Sequence, residues 1–198
     1  MKNRKLKPEL MDDPSLDEVS LKQALQDVTL VNRWLGGKEI TIKGIRYFFK
    51  KYQQSHYKIV DLGCGDGEML RYIAKYTRKH NIKVKLIGMD LNSKSIQIAR
   101  ERSVNYPEIE YIQQDILTLN KDTFNCDIIV STLTMHHFKN SEIELFLKRF
   151  YDLAGLGFVI NDLHRSFIAY YLFHAFSRIF MKTYIARHDG LISIERAF

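Results

Sequence analysis

The stretch Lys58-Ile59-Val60-Asp61-Leu62-Gly63-Cys64-Gly65-Asp66-Gly67-Glu68 decides how the rest of the chain is read. An apolar run through Leu62 enters a loop with glycine at every second position, and the helical pattern EMLRYIAKYTRKH follows at once. Glycines there permit positive φ and let a ligand lie against bare backbone, beside the N–H groups that open a helix. A turn with a purely structural task needs one glycine or two. The spacing also discriminates between ligands. A dinucleotide fingerprint, G-x-G-x-x-G, requires glycine where this chain has Glu68. A carboxylate at that place repels a pyrophosphate, and the Gly-Lys-Ser/Thr ending of a phosphate-binding P-loop is absent. A neutral or cationic nucleoside fits better.

Outward from the loop, KIVDLG, VKLIGMD, EYIQQDI, CDIIVS and GFVIND are five short apolar runs that each end in a polar or glycine-containing turn. Between them lie the helical stretches EMLRYIAKYTRKH, SKSIQIARERS and SEIELFLKRFYDL, the last capped by Ser141 with Glu144. Alternation of this kind predicts an α/β parallel sheet with helices on both faces. Ligands of such sheets bind at the carboxyl ends of the strands, where strand order reverses. Residues 1–54 form a separate helical segment, and residues 55–198 the sheet domain. In the first, Ser15 with Glu18 makes an S-x-x-E capping box and predicts a helix over 16–35, ended by Gly36 and Gly37; a second helix follows Thr41.

With 198 residues, 45% apolar and 27% charged, the chain suits one globular domain and is not disordered. Cys64 and Cys126 are too few for a disulfide framework or a zinc set, so a reduced, cytoplasmic setting is expected. MKNRKLKPELMDDP lacks the apolar core of a signal peptide, and Phe167 to Met181 is interrupted by His174 and Arg178 and too short to span a bilayer. The net charge of +7 is scattered over several clusters, which makes nucleic acid an improbable partner.

Two further carboxylates end strands. Asp90 closes the second, where it can accept hydrogen bonds from both hydroxyls of a ribose and would reject a 2′-phosphate. Asp115 closes the third, where it can take an adenine amino group while Ile116 covers the ring face, or cap the next turn. With the glycine loop, these residues resemble the class I S-adenosylmethionine-dependent methyltransferases over roughly residues 15 to 165, which implies a Rossmann-like sheet of strand order 3-2-1-4-5. The resemblance implies that Asp61, Gly63, Gly65 and Gly67 hold the methionine end of the cofactor, Asp90 the ribose, and Asp115 and Ile116 the adenine, with Leu91 also among the cofactor-binding residues. Ser131 and Thr132, ending strand four, would line the sulfonium. Asn32-Arg33-Trp34 would belong to a lid over the methionine moiety, with Arg33 as a carboxylate partner. Thr132-Leu133-Thr134-Met135-His136-His137-Phe138 looks like the same strand end in members acting on quinols and polyketide-derived phenols.

The sulfonium makes the methyl electrophilic, so the protein mainly aligns an acceptor with it. His136 and His137 are the candidate bases for a hydroxyl acceptor, at most one facing the pocket because consecutive strand residues point to opposite faces. Together with Asp162 and His164 they could ligate a divalent ion, but the spacing matches no fixed zinc pattern and no metal is expected. Phe167, Tyr170, Tyr171, Phe173, Phe176, Phe180 and Tyr184 exceed what one core stripe needs, which leaves a substrate channel, a homodimer face or a peripheral membrane contact open.

The leading reading is therefore O-methylation of an aromatic or polyketide-derived small molecule. An RNA or protein methyltransferase, and a truncated cofactor-binding protein without catalysis, are the alternatives. The last rests on a departure from the family, whose sheet carries a final antiparallel hairpin. Here the tail after Arg165 reads as one helix, with only Leu191-Ile192-Ser193-Ile194 as a possible short strand.

Overall fold

The computed structural model describes residues 4–34, 37–121 and 124–198; the side chain of Arg33 and residue Gly36 lie outside the described residues. Five strands form one sheet: β1 Tyr57–Leu62, β2 Val84–Asp90, β3 Ile109–Gln113, β4 Cys126–Thr132 and β5 Ala154–Asn161. Their order is β3-β2-β1-β4-β5 and every pairing is parallel, as the alternating pattern predicts. Strand order reverses between β1 and β4, so the crevice lies at Leu62 and Thr132.

Period-two alternation sorts the strands between two cores. Ile59, Leu86, Ile128 and Val130 meet Ile45 of α2 (Gly37–Lys51), Leu70 and Ile73 of α3 (Glu68–Lys79) and Ile96 of α4 (Ser93–Arg102). Val60, Leu62, Ile87, Met89 and Ile129 meet Phe146, Phe150 and Leu153 of α5 (Asn140–Leu153). Asp61 and Asp90 stand in phase with the first set, so their carboxylates emerge on the face that α3 covers.

Helix ends depart from the predicted caps. In α1 (Glu18–Trp34) the cap is Asp17, whose Oδ1 accepts the Ser20 N–H at 2.9 Å, while Ser15 N–H bonds Asp13. At α5, Glu142 Oε2 accepts the Lys139 N–H at 2.7 Å, and Ser141 lies inside the helix. Each S-x-x-E match lies two residues from the real cap, where a neighbouring carboxylate satisfies the free N–H instead. Helix α2 begins at Gly37, four residues before the predicted start, so Thr41 is a buried interior residue of it.

The C-terminal part holds the largest departure. Instead of one helix and a short strand, it forms α6 (Phe167–Phe180) and α7 (Tyr184–Arg196). Asp27 makes the corner between them: its Oδ2 accepts the N–H groups of Lys182 and Thr183 at 3.0 and 2.7 Å. Leu191–Ile194 is helical because Ala186, Asp189, Ser193 and Arg196 share the buried face with Ile192, a period that four apolar-rich residues cannot display. Among the described residues the sheet has no antiparallel strand. On α6, Phe173 and Phe176 pack inward, whereas Phe167, Ile168, Tyr171, Leu172 and Ile179 are exposed.

Helix α2 sits close against β5 because Gly44 has no side chain. A Cβ there would lie 2.7 and 2.8 Å from the two methyls of Val159. Alanine favours a helix over glycine by roughly 1 kcal/mol, but overpacking against a stiff β-branched neighbour costs about 1–3 kcal/mol. Gly44→Ala is therefore expected to lower the melting temperature, with exposed Lys43→Ala close to neutral; a rise for Gly44→Ala in thermal unfolding would contradict this packing.

Candidate active site

The loop after β1 is tied to the end of β2. Gly63 and Cys64 donate their N–H groups to Met89 O at 2.8 and 3.0 Å, and Gly65 N–H donates to Asp90 Oδ2 at 2.8 Å. The other Asp90 oxygen accepts Asn92 N–H at 2.9 Å. The three loop glycines all have positive φ, but they differ in surroundings. A Cβ on Gly67 would strike the Tyr111 hydroxyl, and one on Gly63 would strike Thr134, whereas Gly65 faces open space. Only Gly65 leaves room beside it for a ligand.

Electrostatics at this opening call for a positive charge. Asp61 is buried and its Oδ1 has no hydrogen-bond partner. Burial, reinforced by the charges of Asp90 and Asp66, pushes its carboxyl up to about 8. Burial raises the Asp90 carboxyl as well, against the opposing pull of its two backbone N–H bonds. Asp66 is compensated differently, by Arg71 at 3.2 Å and by Arg102. Glu68, the residue that argued against a pyrophosphate, pairs with Lys38 of α2.

The remaining candidates line the same edge of the sheet. Leu91, directly after Asp90, is 68% exposed, and Ile116 is buried. Asp115 Oδ1 accepts the Leu117 N–H at 2.9 Å, so one oxygen caps a 3₁₀ turn, Ile116–Thr118. Ser131 is buried and donates to Leu62 O at 3.2 Å. Thr132 Oγ1 meets Thr41 Oγ1 at 3.2 Å, and Asn161 Nδ2 donates to Thr41 Oγ1 and to Gly37 O, which brings the start of α2 over the ends of β4 and β5. Beyond Thr132 the chain turns sharply. Leu133 has φ 55, a left-handed conformation that costs a non-glycine residue about 1–2 kcal/mol. It is held by Leu133 N–H donating to Asn161 O at 2.8 Å and by Thr134 Oγ1 donating to Gly63 O at 3.3 Å.

That turn delivers His136 and His137 into a cluster that sequence reading did not assemble. His136 is buried; its Nδ1 lies 2.6 Å from Asp162 Oδ1 and its Nε2 3.6 Å from Glu9 Oε1. Burial opposes its charged form, but Asp162 and Glu9 outweigh that and push the imidazole up to about 9. His137 is partly exposed, with Nδ1 3.1 Å from Asp12 Oδ2 and Nε2 3.7 Å from Glu9 Oε2. Arg196 of α7 donates to the His136 and His137 carbonyls at 3.1 and 2.6 Å, and Asp189 accepts the N–H groups of Leu10 and Met11 at 2.8 Å each. Residues 4–12 thus run between α7 and the end of β4. Glu9, Asp12, Asp189 and Arg196 were not singled out, because their partners lie more than a hundred residues away and no local pattern links them. Of the ligands weighed with the histidines, Asp162 joins the cluster and His164 is exposed. The charges of His137 and Asp12 reach Asp90, so the cluster adjoins the glycine loop. A separate cleft of about 700 Å³, lined by Lys58, Asp127 and Tyr151, lies at the opposite end of the strands.

Residues 59–155 match the model of a family described as a methyltransferase domain. The 2-phytyl-1,4-naphtoquinone methyltransferase of Thermosynechococcus vestitus is 35% identical over 60 residues, 30% of this chain and 25% of that protein. The (S)-coclaurine N-methyltransferase of Thalictrum flavum subsp. glaucum is 28% identical over 117 residues, 58% of this chain and 31% of that protein. The matched stretch thus spans less than a third of either curated relative. Among solved structures, the plantazolicin methyltransferase BpumL in complex with SAH superimposes with a TM-score of 0.61 at 18% identity, covering 91% of this chain and 71% of that one. BamL, solved with a triazolic desmethylPZN analog and SAH, gives 0.60 at 16%, covering 91% and 68%. At such identities the likeness shows the fold.

The buried Asp61 has a sign that can be tested without ligand. Its folded value lies above that of an unfolded aspartate, so between about pH 4 and 8 the folded chain keeps a proton that the unfolded chain has lost. The penalty is absent below that window, grows through it and is constant above. Asp61→Asn should therefore stabilise the unliganded protein by an amount that rises from pH 4 to 8, reaching a few kcal/mol; melting curves that stay parallel across that range would refute it.

Proposed function

We propose that the chain is a class I S-adenosylmethionine-dependent methyltransferase, on the premise of the methyltransferase-domain match over residues 59–155, and that it methylates a hydroxyl oxygen of an aromatic or polyketide-derived small molecule. The observation that carries the reading is the unpaired, buried Asp61 carboxyl beside the open flank of Gly65 and the carboxylate of Asp90. This donor set fits the cofactor: a cationic ligand supplies the charge that Asp61 lacks, and a carboxylate that already accepts backbone N–H bonds keeps lone pairs for ribose hydroxyls. S-adenosylmethionine, when bound, supplies a methyl group made electrophilic by its sulfonium.

The residues then take distinct parts. Asp61 and the Gly63, Gly65 and Gly67 backbone receive the methionine end, Asp90 the ribose, and Leu91 and Ile116 bracket the adenine, with Asp115 on its amino group. Ser131 and Thr132 line the transfer centre, and Arg33 is proposed as a carboxylate partner from the N-terminal lid, residues 1–54. The acceptor hydroxyl is directed toward the His136 and His137 turn, where the partly exposed His137 takes its proton and the buried His136, held charged between Asp162 and Glu9, positions the turn. Small aromatic acceptors are supported by the relatives, one named for a naphthoquinone and one for coclaurine. The exposed apolar face of α6 suits a poorly soluble acceptor, a second copy or a membrane surface.

Thermal unfolding with S-adenosylhomocysteine tests the cofactor assignment. At 100 times Kd the ligand should add about 2.7 kcal/mol, and Asp90→Ala should weaken binding at least about tenfold by removing charge-assisted hydrogen bonds. Methyl transfer to a panel of phenols and quinols, read by mass spectrometry, tests the rest: His137→Ala should cut turnover by about tenfold or more with cofactor affinity retained. Absence of stabilisation by S-adenosylhomocysteine, or indifference to Asp90→Ala, would overturn the proposal.

A further inference from the structure

We propose that Glu9, His136 and His137 form a binding site for a divalent cation of borderline softness, with zinc the preferred ion. The three side chains offer ligand atoms that all lie within 4.8 Å of one another. The two imidazole Nε2 atoms stand 3.6 and 3.7 Å from the Glu9 carboxylate. Those separations exceed the roughly 2.7–3.2 Å of a direct N–H···O hydrogen bond. The His137 Nε2 to Glu9 Oε2 separation lies within a few tenths of an ångström of the roughly 3.3 Å edge of a tetrahedron built from zinc bonds of about 2.0–2.1 Å, and the His136 Nε2 approaches the other oxygen of the same carboxylate.

The outer contacts favour the same assignment. Each Nδ1 faces a carboxylate, Asp162 at 2.6 Å for His136 and Asp12 at 3.1 Å for His137. Such a partner holds the proton on Nδ1 and turns the Nε2 lone pair inward, as carboxylates do behind metal-bound histidines. Positive charge among these groups comes from a proton on His136 or from an ion that displaces it. The buried Arg196 adds positive charge on the Oε1 side, 3.8 Å from Glu9 Oε1 and 3.6 Å from Asp12 Oδ2. Ser193 also donates to Oε1, at 2.8 Å. Glu9 Oε2 accepts no hydrogen bond from the described residues and is the oxygen left for the ion.

The donor set selects the metal. Two imidazoles and one carboxylate suit zinc, cobalt or nickel better than magnesium or calcium, which take oxygen ligands. Three protein ligands leave one position open, and it faces the side where His137 is 26% exposed, so a water or a ligand oxygen can occupy it. Sequence spacing could not reveal the site. Its histidines are adjacent in a 3₁₀ turn, Met135–His137, and its third ligand is brought in by the N-terminal arm that Asp189 anchors.

The test is a zinc titration of chelator-stripped protein bearing no polyhistidine tag, in competition with a chromogenic chelator. The expected result is one zinc per chain, with Glu9→Gln and His137→Ala each weakening binding at least about tenfold and Asp12→Asn weakening it about 10–100-fold through the orientation of His137. Cobalt should give the visible absorption of a low-coordinate site, lost in Glu9→Gln. The S-adenosylhomocysteine melting shift of each variant reports that it remains folded. Failure of the wild-type chain to retain stoichiometric zinc, or equal retention by Glu9→Gln and His137→Ala, would overturn the site; either result leaves the cofactor assignment to its own test.

Discussion

The hydrogen bond from Gly65 N–H to Asp90 Oδ2 is the contact on which the site depends. A loop of left-handed glycines exposes backbone donors that no helix or strand can satisfy, and buried donors without partners are costly. Met89 O and Asp90 take them, so the end of β2 dictates the shape of the loop after β1. Strand pairing of Leu62 with Met89 sets that register in turn. Because Asp90 is both the loop's anchor and the carboxylate nearest the opening, the residue that shapes the site also gives it charge.

Buried charge is arranged in two contrasting ways around the strand ends. Near the glycine loop it is left incomplete: Asp66 has its arginines, while Asp61 Oδ1 has no hydrogen-bond partner among the described residues and the carboxyl stays protonated up to about pH 8. A few residues beyond β4, carboxylates and imidazoles alternate from Asp162 through His136, Glu9 and His137 to Asp12. The first arrangement awaits a cation from outside, and the second shares positive charge among its own members. Between them stands Leu133 in a strained conformation, fastened by strand β5 on one side and the glycine loop on the other.

Local patterns were readable where the physics is local. The five strands and the helices between them follow from alternation and apolar period, and the glycine loop was legible because a strand running into three spaced glycines has few uses. The cap residues slipped by two or three positions because carboxylates and hydroxyls of neighbouring turns compete for the same free N–H groups, as Asp17 against Ser15 shows. Leu191–Ile194 misled for a related reason: a run of four cannot distinguish a strand from one turn of a helix whose buried partners are Ala186 and Arg196.

By itself, then, the sequence determined the parallel strands, the glycine loop and the acidic residues around it, since each is written in contiguous residues whose spacing matches a strand, a turn or a helix. Tertiary structure decided which glycine is open, because Tyr111 and Thr134 fill the space beside the other two. It also decided what the two histidines face. Glu9, Asp12 and Arg196 reach them from the two ends of the chain, and charges that far apart in sequence meet only after the helices they ride on have packed.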